Sequence, residues 1–205
     1  MYASPRQASL LAYVFWHWRR SGVPGPSYVE LQRRFHAALA KTPPAGFLRS
    51  HSAAIRGVSW AAAGADAYED WYLVEGTAAL DPLNEAAVTA SRQPAHDAAA
   101  AAAEGGTAGL YRLRRGSGDA VHRTAAWFPK PDGMSYGELY AVLEPLLLDS
   151  DGALWGRQMT LGPTPEFCLH TSGPVVLPAP LRAQVVARSP IWPEVNSDLG
   201  GEADV

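Results

Sequence analysis

The stretch SYVELQRRFHAAL, residues 27–39, returns farther along the chain as SYGELYAVLEPLL, residues 135–147, and this pair decides the fold that the sequence predicts. Five residues of the two stretches are identical at a constant offset of 108 positions (135 minus 27). Each stretch opens with the Ser-x-x-Glu pattern of a capping box, in which a serine and a glutamate satisfy free N–H groups at the start of a helix. Any two helices can share that pattern, so the fold prediction depends on the segments downstream of each helix.

Later segments correspond in the same order as the two helices. Residues 46–49 align with residues 152–155 at an offset of 106, and residues 71–73 align with residues 167–169 at an offset of 96. The falling offset fits shorter loops in the second half of the chain. An internal repeat is therefore predicted, in which the second unit is a trimmed version of the first.

Hydrophobic periodicity and turn residues predict one element order, β-α-β-β-α-β, in both halves. In the first half, strands are predicted over residues 10–19, 46–59, 68–74 and 109–114, and helices over 28–41 and over 81–103 with a break at Pro94. In the second half, strands are predicted over residues 123–129, 152–161 and 166–171, and helices over 136–148, where Pro145 should kink the helix, and near 181–187.

Two ferredoxin-like halves and a tail follow from this order. The halves span residues 9–115 and 122–195, and a polar, glycine-containing linker joins them. The tail, residues 196–205, is acidic and rich in glycine, and it is predicted to be disordered.

Two β-α-β-β-α-β units in tandem resemble the dimeric α+β barrel superfamily, in a form where both halves lie on one chain. The resemblance covers about residues 9–195 and rests on element order, with no signature motif of a specific family. It implies an α+β fold in which the antiparallel sheets of two tandem ferredoxin-like units pack as a pseudo-dimeric barrel. It also implies a cleft for a small apolar or aromatic molecule. Members include cofactor-free monooxygenases, polyketide cyclases, stress-response proteins and a haem-binding, chlorite-dismutase-like branch.

Composition excludes several classes of partner. The 205 residues carry a formal net charge of −3, which argues against a constitutive nucleic-acid binder, and no apolar run approaches the ~20 residues that cross a bilayer. The single cysteine, Cys168, excludes an intramolecular disulfide and is interpreted as a buried structural thiol. The apolar amino-terminal stretch lacks a basic leader and a cleavage site, so it is interpreted as a first strand of a cytoplasmic protein.

Side-chain alternation along the strands predicts a ligand pocket. In the first strand an apolar set, Val14, Trp16 and Trp18, suits packing under helices, whereas the opposite set mixes aromatic and polar groups, as ligand pockets do. The repeat register extends this mixed surface to Asp70 and to the other strands. The residues predicted to bind ligand are Tyr13, Phe15, His17, Arg49, Tyr72, Arg112, Trp155 and Arg157.

Two histidines on the same predicted surface, His51 and His170, are the candidates for acid/base catalysis, because imidazole titrates near neutral pH. His36, His96 and His122 are interpreted as solvated. The histidines show no close metal spacing, so no metal site is predicted, and the common hydrolase, nucleotide-binding and metalloprotease motifs are not found in the sequence.

These observations predict a small-molecule-binding protein that needs no cofactor. Its activity would be that of a cofactor-independent monooxygenase or isomerase acting on an aromatic or polar organic ligand. The alternative is a non-enzymatic interaction or stress protein whose exposed aromatic residues form a homodimer. A third hypothesis is a haem-binding protein of the chlorite-dismutase-like type.

Overall fold

The computed structural model describes residues 10–62, 64–149 and 151–194. The first half of the chain forms, in order, β1 (Leu11–Arg19), α1 (Gly25–Lys41), β2 (Phe47–Ile55), β3 (Ala67–Val74), α2 (Leu80–Ala87), α3 (Gln93–Ala102) and β4 (Ala103–Gly116). The second half forms β5 (Thr124–Phe128), α4 (Tyr136–Asp149), β6 (Ala153–Arg157), β7 (Phe167–Thr171) and β8 (Gln184–Trp192). The predicted disordered tail lies outside the described residues.

The eight strands close into one antiparallel barrel in the order β1-β3-β2-β8-β5-β7-β6-β4. The first half contributes β4-β1-β3-β2 and the second contributes β8-β5-β7-β6, so both halves use the same relative strand order. The pairs β2–β8 and β4–β6 join the halves and close the barrel. The predicted mixed α+β class with an antiparallel sheet is confirmed.

The two Ser-x-x-Glu patterns behave differently. At the start of α4, Glu138 accepts a hydrogen bond from the backbone N–H of Ser135 at 2.7 Å, and the Ser135 hydroxyl accepts one from the N–H of Glu138 at 3.2 Å, which is a capping box. At the first pattern, α1 already begins at Gly25 with a proline in its first turn, and Glu30 pairs with Arg34 on the helix surface. The predicted capping box is therefore wrong for α1, because proline begins the helix earlier.

Two predicted elements are wrong. The brief helix predicted near residues 181–187 is absent, and β8 begins at Gln184 instead, because its β-branched and alternating residues pair with both β2 and β5. Gly105 and Gly106, which follow the helix predicted over residues 81–103, lie in β4, whose first ten residues pair with the whole of β1. Strand β4 therefore begins directly after α3, several residues earlier than predicted.

The barrel interior is an aromatic core. Trp16, Trp71, Trp127 and Trp155 are fully buried inside it, and Trp16 meets Trp127 edge to face with ring centroids 5.5 Å apart. Val14 and Trp16 face this interior, so the prediction that their side of β1 packs under helices is wrong. The opposite side of β1 faces α1, α2 and α3, whereas α4 covers the second half with Leu139 and Leu143. Within the described part of the chain, no helix is long and apolar enough to cross a membrane.

Candidate active site

A cleft of about 730 Å³ lies between the outer face of the sheet in the first half of the chain and the helices that cover it. Strands β1, β3 and the start of β4 form its floor, and α1, α2 and α3 form its walls. Aromatic and polar side chains converge there, as in small-molecule sites generally. The aromatic and polar lining residues at the centre of the site are Tyr13, Phe15, His17, Tyr28, Asp70 and Tyr72.

The cleft walls are aromatic because residues of one strand face alternate. Tyr13, Phe15 and His17 all point toward the helices, and Tyr13 pairs across the strands with Tyr72, whose ring centroid is 6.1 Å away. From α1, Phe35 approaches Tyr72 with ring centroids 6.4 Å apart. These rings enclose an apolar slot that suits a flat aromatic ligand.

His17 sits on the cleft floor with both ring nitrogens engaged. Its Nε2 lies 3.1 Å from Asp70 Oδ2, and its Nδ1 lies 2.6 Å from the Tyr28 hydroxyl oxygen. An ionised Asp70 can only accept, so Nε2 of a neutral His17 carries the proton and Nδ1 accepts from Tyr28. The result is a hydrogen-bonded chain from Tyr28 through His17 to Asp70. Only 1% of the His17 side chain is exposed, which shields this chain from bulk water.

Asp70 is a buried carboxylate held between two imidazoles. His17 contacts one of its oxygens, and His36 Nε2 lies 3.3 Å from the other oxygen. The Tyr72 hydroxyl also donates to Asp70 at 3.0 Å. Burial alone would raise the pKa of Asp70, but its interactions with the two imidazoles, His17 and His36, outweigh burial and hold that pKa well below its usual value. Asp70 is therefore ionised at neutral pH and fixes the orientation of His17.

The two tyrosines nearest this carboxylate stay protonated. Burial raises the pKa of Tyr28, and the negative charge of Asp70 raises it further. Burial, with the charge and hydrogen bond of Asp70, also raises the pKa of Tyr72 well above its ordinary value. Both hydroxyls therefore act as donors at neutral pH, and Tyr28 is a group through which a proton can pass between a ligand and His17.

The structure brings together four of the residues predicted to bind ligand and separates the others from them. Tyr13, Phe15, His17 and Tyr72 all line the cleft. Trp155 lies in the barrel core. The arginines contact the chain elsewhere: Arg49 bonds Asp119 at 2.7 Å, Arg112 approaches Gln158, and Arg157 donates to the Thr164 carbonyl.

The two predicted acid/base histidines lie on the other side of the sheet from the cleft. His51 stacks on Trp71 inside the barrel with ring centroids 5.9 Å apart, and His170 meets the same indole at 4.5 Å. The prediction that both share one surface with His17 is therefore wrong. It failed because most residues of β2, on both of its faces, and all residues of β7 are buried, so polarity could not show which face meets the helices.

Sequence reasoning missed three residues of this region. Tyr28 was assigned to the apolar stripe of α1, which is also where its ring packs, and nothing in the pattern revealed that its hydroxyl reaches His17. His36 was interpreted as solvated, although it is fully buried and contacts Asp70. His96 is about one-third exposed and lines the cleft, while His122 is buried rather than solvated. A signal for His36 existed, because it lies one residue after Phe35 on the buried stripe of α1.

The cleft does not fit haem. A haem carries two propionates, which need cationic partners, but the described residues that line the cleft include no lysine or arginine and do include the acids Asp70, Asp81 and Glu104. His17, the buried imidazole of the floor, already uses both nitrogens. A cleft with this charge disfavours an anionic ligand. Among the described residues, no group of three or more histidine, cysteine, aspartate or glutamate side chains is arranged to hold a metal ion.

Solved structures are similar to this chain. A Fusobacterium nucleatum protein named "Putative monooxygenase" matches with 11% sequence identity and a TM-score of 0.55, over 80% of this chain and 75% of that chain. SnoaB, a cofactor-independent oxygenase from Streptomyces nogalater, is 19% identical in its N63A mutant, with a TM-score of 0.40, over 55% of this chain and 100% of its own. A protein named "Putative Chlorite dismutase" is 10% identical, with a TM-score of 0.45, over 88% of this chain and 95% of its own.

These similarities concern the fold alone at such identities. The match with the Fusobacterium nucleatum protein, at a TM-score of 0.55, shows a shared fold and no specific family. No protein-family model matches the sequence, and no curated protein matches it. Function must therefore be argued from the site.

Proposed function

We propose that this protein binds a neutral aromatic molecule in the cleft over β1 and β3 and acts on it as a cofactor-independent monooxygenase. The observation that carries the proposal is the buried chain Tyr28–His17–Asp70 on the floor of an aromatic slot. It supplies a shielded proton acceptor next to a surface that suits a flat ring. The similarity of fold to the Fusobacterium nucleatum protein agrees with this assignment.

The proton acceptor works through Tyr28. Because both nitrogens of His17 are engaged, a ligand's proton passes to the Tyr28 oxygen while the Tyr28 proton passes to His17 Nδ1. The imidazolium that results is stabilised by the ionised Asp70 at 3.1 Å. Tyr72 keeps Asp70 ionised and oriented through its own hydrogen bond.

An acidic methylene group between aromatic rings is the substrate chemistry that this acceptor suits. Removal of one proton gives an electron-rich carbanion, which can reduce molecular oxygen directly. In the balanced reaction, one methylene group and one dioxygen molecule give one carbonyl group and one water molecule. The methylene carbon supplies all four electrons, one oxygen atom becomes the carbonyl oxygen, and the other leaves as water with both methylene hydrogens. Burial of the site keeps bulk water from returning the proton before dioxygen reacts.

Dithranol, an aromatic ketone with such a methylene group, is a suitable probe. We expect the purified protein to accelerate dioxygen uptake by dithranol in the presence of a metal chelator, and His17→Gln to lower the rate about 100-fold, the usual contribution of a general base. Arg182→Met, on the surface away from the cleft, is the matched control and should keep the full rate.

Binding is measured separately, by quenching of tryptophan fluorescence under anaerobic conditions. Retained binding of dithranol with no acceleration of dioxygen uptake would reject the oxygenase role and keep a binding role. Absence of both would reject the cleft as the site. An equal rate in His17→Gln and the wild type would reject the proton path.

A homodimeric interaction role is the competing proposal. Met159 and Leu161, in the loop between β6 and β7, are more than nine-tenths exposed, and apolar side chains of this kind mark many interfaces. The native mass of the protein and its response to dithranol together distinguish the two proposals. A dimer that loses its second copy on Leu161→Glu, with no response to dithranol, would support the interaction role.

We also infer that the two halves arose by tandem duplication. The shared strand order of β4-β1-β3-β2 and β8-β5-β7-β6 supports this origin, as does the offset between the two helix sequences. The cleft is then a property of the first half, because the second half has no helix between β7 and β8 in the described residues. One catalytic cleft per chain is the consequence.

A further inference from the structure

The interior of the barrel holds a second polar group of side chains, which the proposed reaction does not use. We call His51, His170, Arg188 and Trp71 the interior polar cluster. All four side chains are at least nine-tenths buried, and they lie on the face of the sheet opposite the cleft. This placement makes the cluster separate from Tyr28, His17 and Asp70.

Arg188 has one guanidinium nitrogen that no protein group satisfies. Its Nε donates to Glu69 Oε1 at 2.9 Å, and its Nη1 donates to the His122 carbonyl oxygen at 2.7 Å. Its Nη2 is buried and lacks a hydrogen-bond partner among the described residues. Proteins rarely leave a buried charged donor unpaired, because its hydration is lost without replacement.

The two histidines present further unpaired nitrogens to the same region. Nε2 of His51 and Nε2 of His170 are both buried, and neither has a partner in the part of the chain that the structure describes. Their ring centroids are 6.4 Å apart, and both rings contact the Trp71 indole. The indole N–H of Trp71 is unpaired as well.

The available acceptor in this core is already occupied. Glu69 receives Arg188 on one carboxylate oxygen and the Trp16 indole N–H on the other, at 2.8 Å. Arginine and indole nitrogens can only donate, and neutral imidazole can donate through one nitrogen. The cluster therefore has more donors than acceptors, which distinguishes it from a site built for a cation.

The electrostatic surroundings are positive. Burial lowers the pKa of His51, and the nearby charges of Arg188 and Arg49 lower it further. Burial and Arg188 act on the pKa of His170 in the same direction. Both observations indicate a positive potential at the imidazoles, which an anion would relieve.

We propose that the interior polar cluster binds a small inorganic anion, of the size of a halide or nitrate, between Arg188, His51 and His170. Trp71 and Trp155 occupy the surrounding core, so the ligand must be small. An anion accepts several hydrogen bonds and donates none, which matches the surplus of donors better than water does.

Bromide is the probe that tests this site. At constant ionic strength, replacing gluconate with bromide should raise the Tm of the wild-type protein by several degrees, because a ligand that binds only the folded state stabilises it. The double variant His51→Phe, His170→Phe should lose that rise. Arg182→Met, which removes a surface cation, should keep it.

A second double variant and a crystallographic measurement keep the proposal testable if the variant His51→Phe, His170→Phe fails to fold. Glu69→Gln with Arg188→Met removes the ion pair without leaving a lone buried charge, and it should also lose the bromide effect. In crystals grown with bromide, an anomalous peak within hydrogen-bond distance of Arg188 Nη2 is expected. Equal Tm values in bromide and gluconate, or a rise that both double variants keep, would overturn the proposal.

Discussion

Two adjacent carboxylates, Glu69 and Asp70, show how one strand serves two sites. Successive residues of a strand point to opposite faces, so Glu69 enters the barrel and Asp70 enters the cleft. Each is about 1% exposed, and each has its own partners: Arg188 forms an ion pair with Glu69, and His17 and His36 contact Asp70. The role of one carboxylate therefore cannot be inferred from the role of the other, although the two residues are adjacent in the sequence.

This arrangement predicts different consequences for two matched substitutions. Asp70→Asn should lower the rate with dithranol at least about 100-fold, because His17 loses the charge that stabilises its imidazolium. Glu69→Gln should leave that rate nearly unchanged, although it acts one residue away. Glu69→Gln should lower the free energy of unfolding by about 3 kcal/mol, the usual result of removing one partner of a buried ion pair. Asp70→Asn should lower it as well, because the buried donors of His17 and Tyr72 lose a charged acceptor.

Urea denaturation and dioxygen uptake measure the two effects. The comparison is informative because both variants change a buried acid to its amide on the same strand. If Glu69→Gln lowered the rate as much as Asp70→Asn, the separation of the two sites by the sheet would be wrong.

At the scale of elements, the start of β4 shapes the cleft because Gly105 and Gly106 carry no side chains there. Gly106 pairs with His17 on β1, and a Cβ atom built there would lie 2.5 Å from Phe15 Cζ and 2.9 Å from the Trp16 carbonyl oxygen. The glycine therefore allows Phe15 to lie flat along the sheet. The Gly105-Gly106 pair was predicted to end a helix, but its role is to admit aromatic rings against a strand.

Gly106→Ala should therefore weaken ligand binding rather than abolish the fold. The added methyl group must displace Phe15 toward the cleft, and overpacking of this kind costs about 1–3 kcal/mol. We expect about a tenfold rise in the Kd for dithranol, measured by fluorescence quenching. Gly22→Ala, in the loop after β1 with nothing within 4 Å of the added Cβ, is the matched control and should bind normally. An unchanged Kd in Gly106→Ala would show that Phe15 does not border the ligand.

Elements with a strong local signal could be predicted from the sequence. Strand β1 and helix α1 were predicted at nearly their observed positions, because aromatic and branched residues and a helical apolar stripe mark them. Strand β8 could not be predicted, since its reason for existing is nonlocal: it pairs with β2 and β5 and closes the barrel. The expectation that the second half repeats the last helix of the first half placed a helix where β8 begins.

The predictions for the site have the same limit, because a local pattern does not reveal which elements meet in the fold. Alternation on β1 grouped Tyr13, Phe15 and His17 correctly on one face, because the period of two holds in any strand. It could not show whether the predicted pocket lies under the helices or inside the barrel. Most residues of β2 are buried, on both of its faces, so no consistently exposed face existed to orient the pattern, and His51 was assigned to the wrong side.

At the scale of the whole molecule, closing the barrel buries imidazoles that would otherwise titrate freely. His51 faces Arg49 and Arg188 across the interior, and His170 faces Arg188 and His122, while Glu69 is the acid already paired with Arg188. Burial is the largest cause that lowers the pKa of each of these two histidines, and the neighbouring cations add to it. Burial also lowers the pKa of His122, although its hydrogen bond to the Asp151 carbonyl opposes this. The folded protein therefore keeps these rings neutral at neutral pH.

Stability should consequently fall when the pH drops below about 6.5, the ordinary pKa of histidine in an unfolded chain. In that range the unfolded chain takes up protons that the folded chain refuses, so the free energy of unfolding falls by up to about 1.4 kcal/mol per pH unit for each histidine. Asp70 does not contribute to this loss, because an aspartate in the unfolded chain takes up protons only near its ordinary pKa of about 3.9. The stability that the lowered pKa of Asp70 supplies is lost below that pH.

The double variant His51→Phe, His170→Phe separates the contribution of the barrel's histidines to the pH dependence of stability from that of the rest of the protein. Its free energy of unfolding, measured by urea denaturation between pH 7 and pH 5, should depend less steeply on pH than that of the wild type, because two proton-binding groups are gone from the unfolded state as well. His96→Phe removes a partly exposed imidazole outside the barrel and is the matched control, which should keep most of the wild-type slope. Equal slopes in the wild type and the double variant would mean that the barrel interior admits protons when folded. The buried imidazoles would then be hydrated, and the positive interior that favours an anion would not exist.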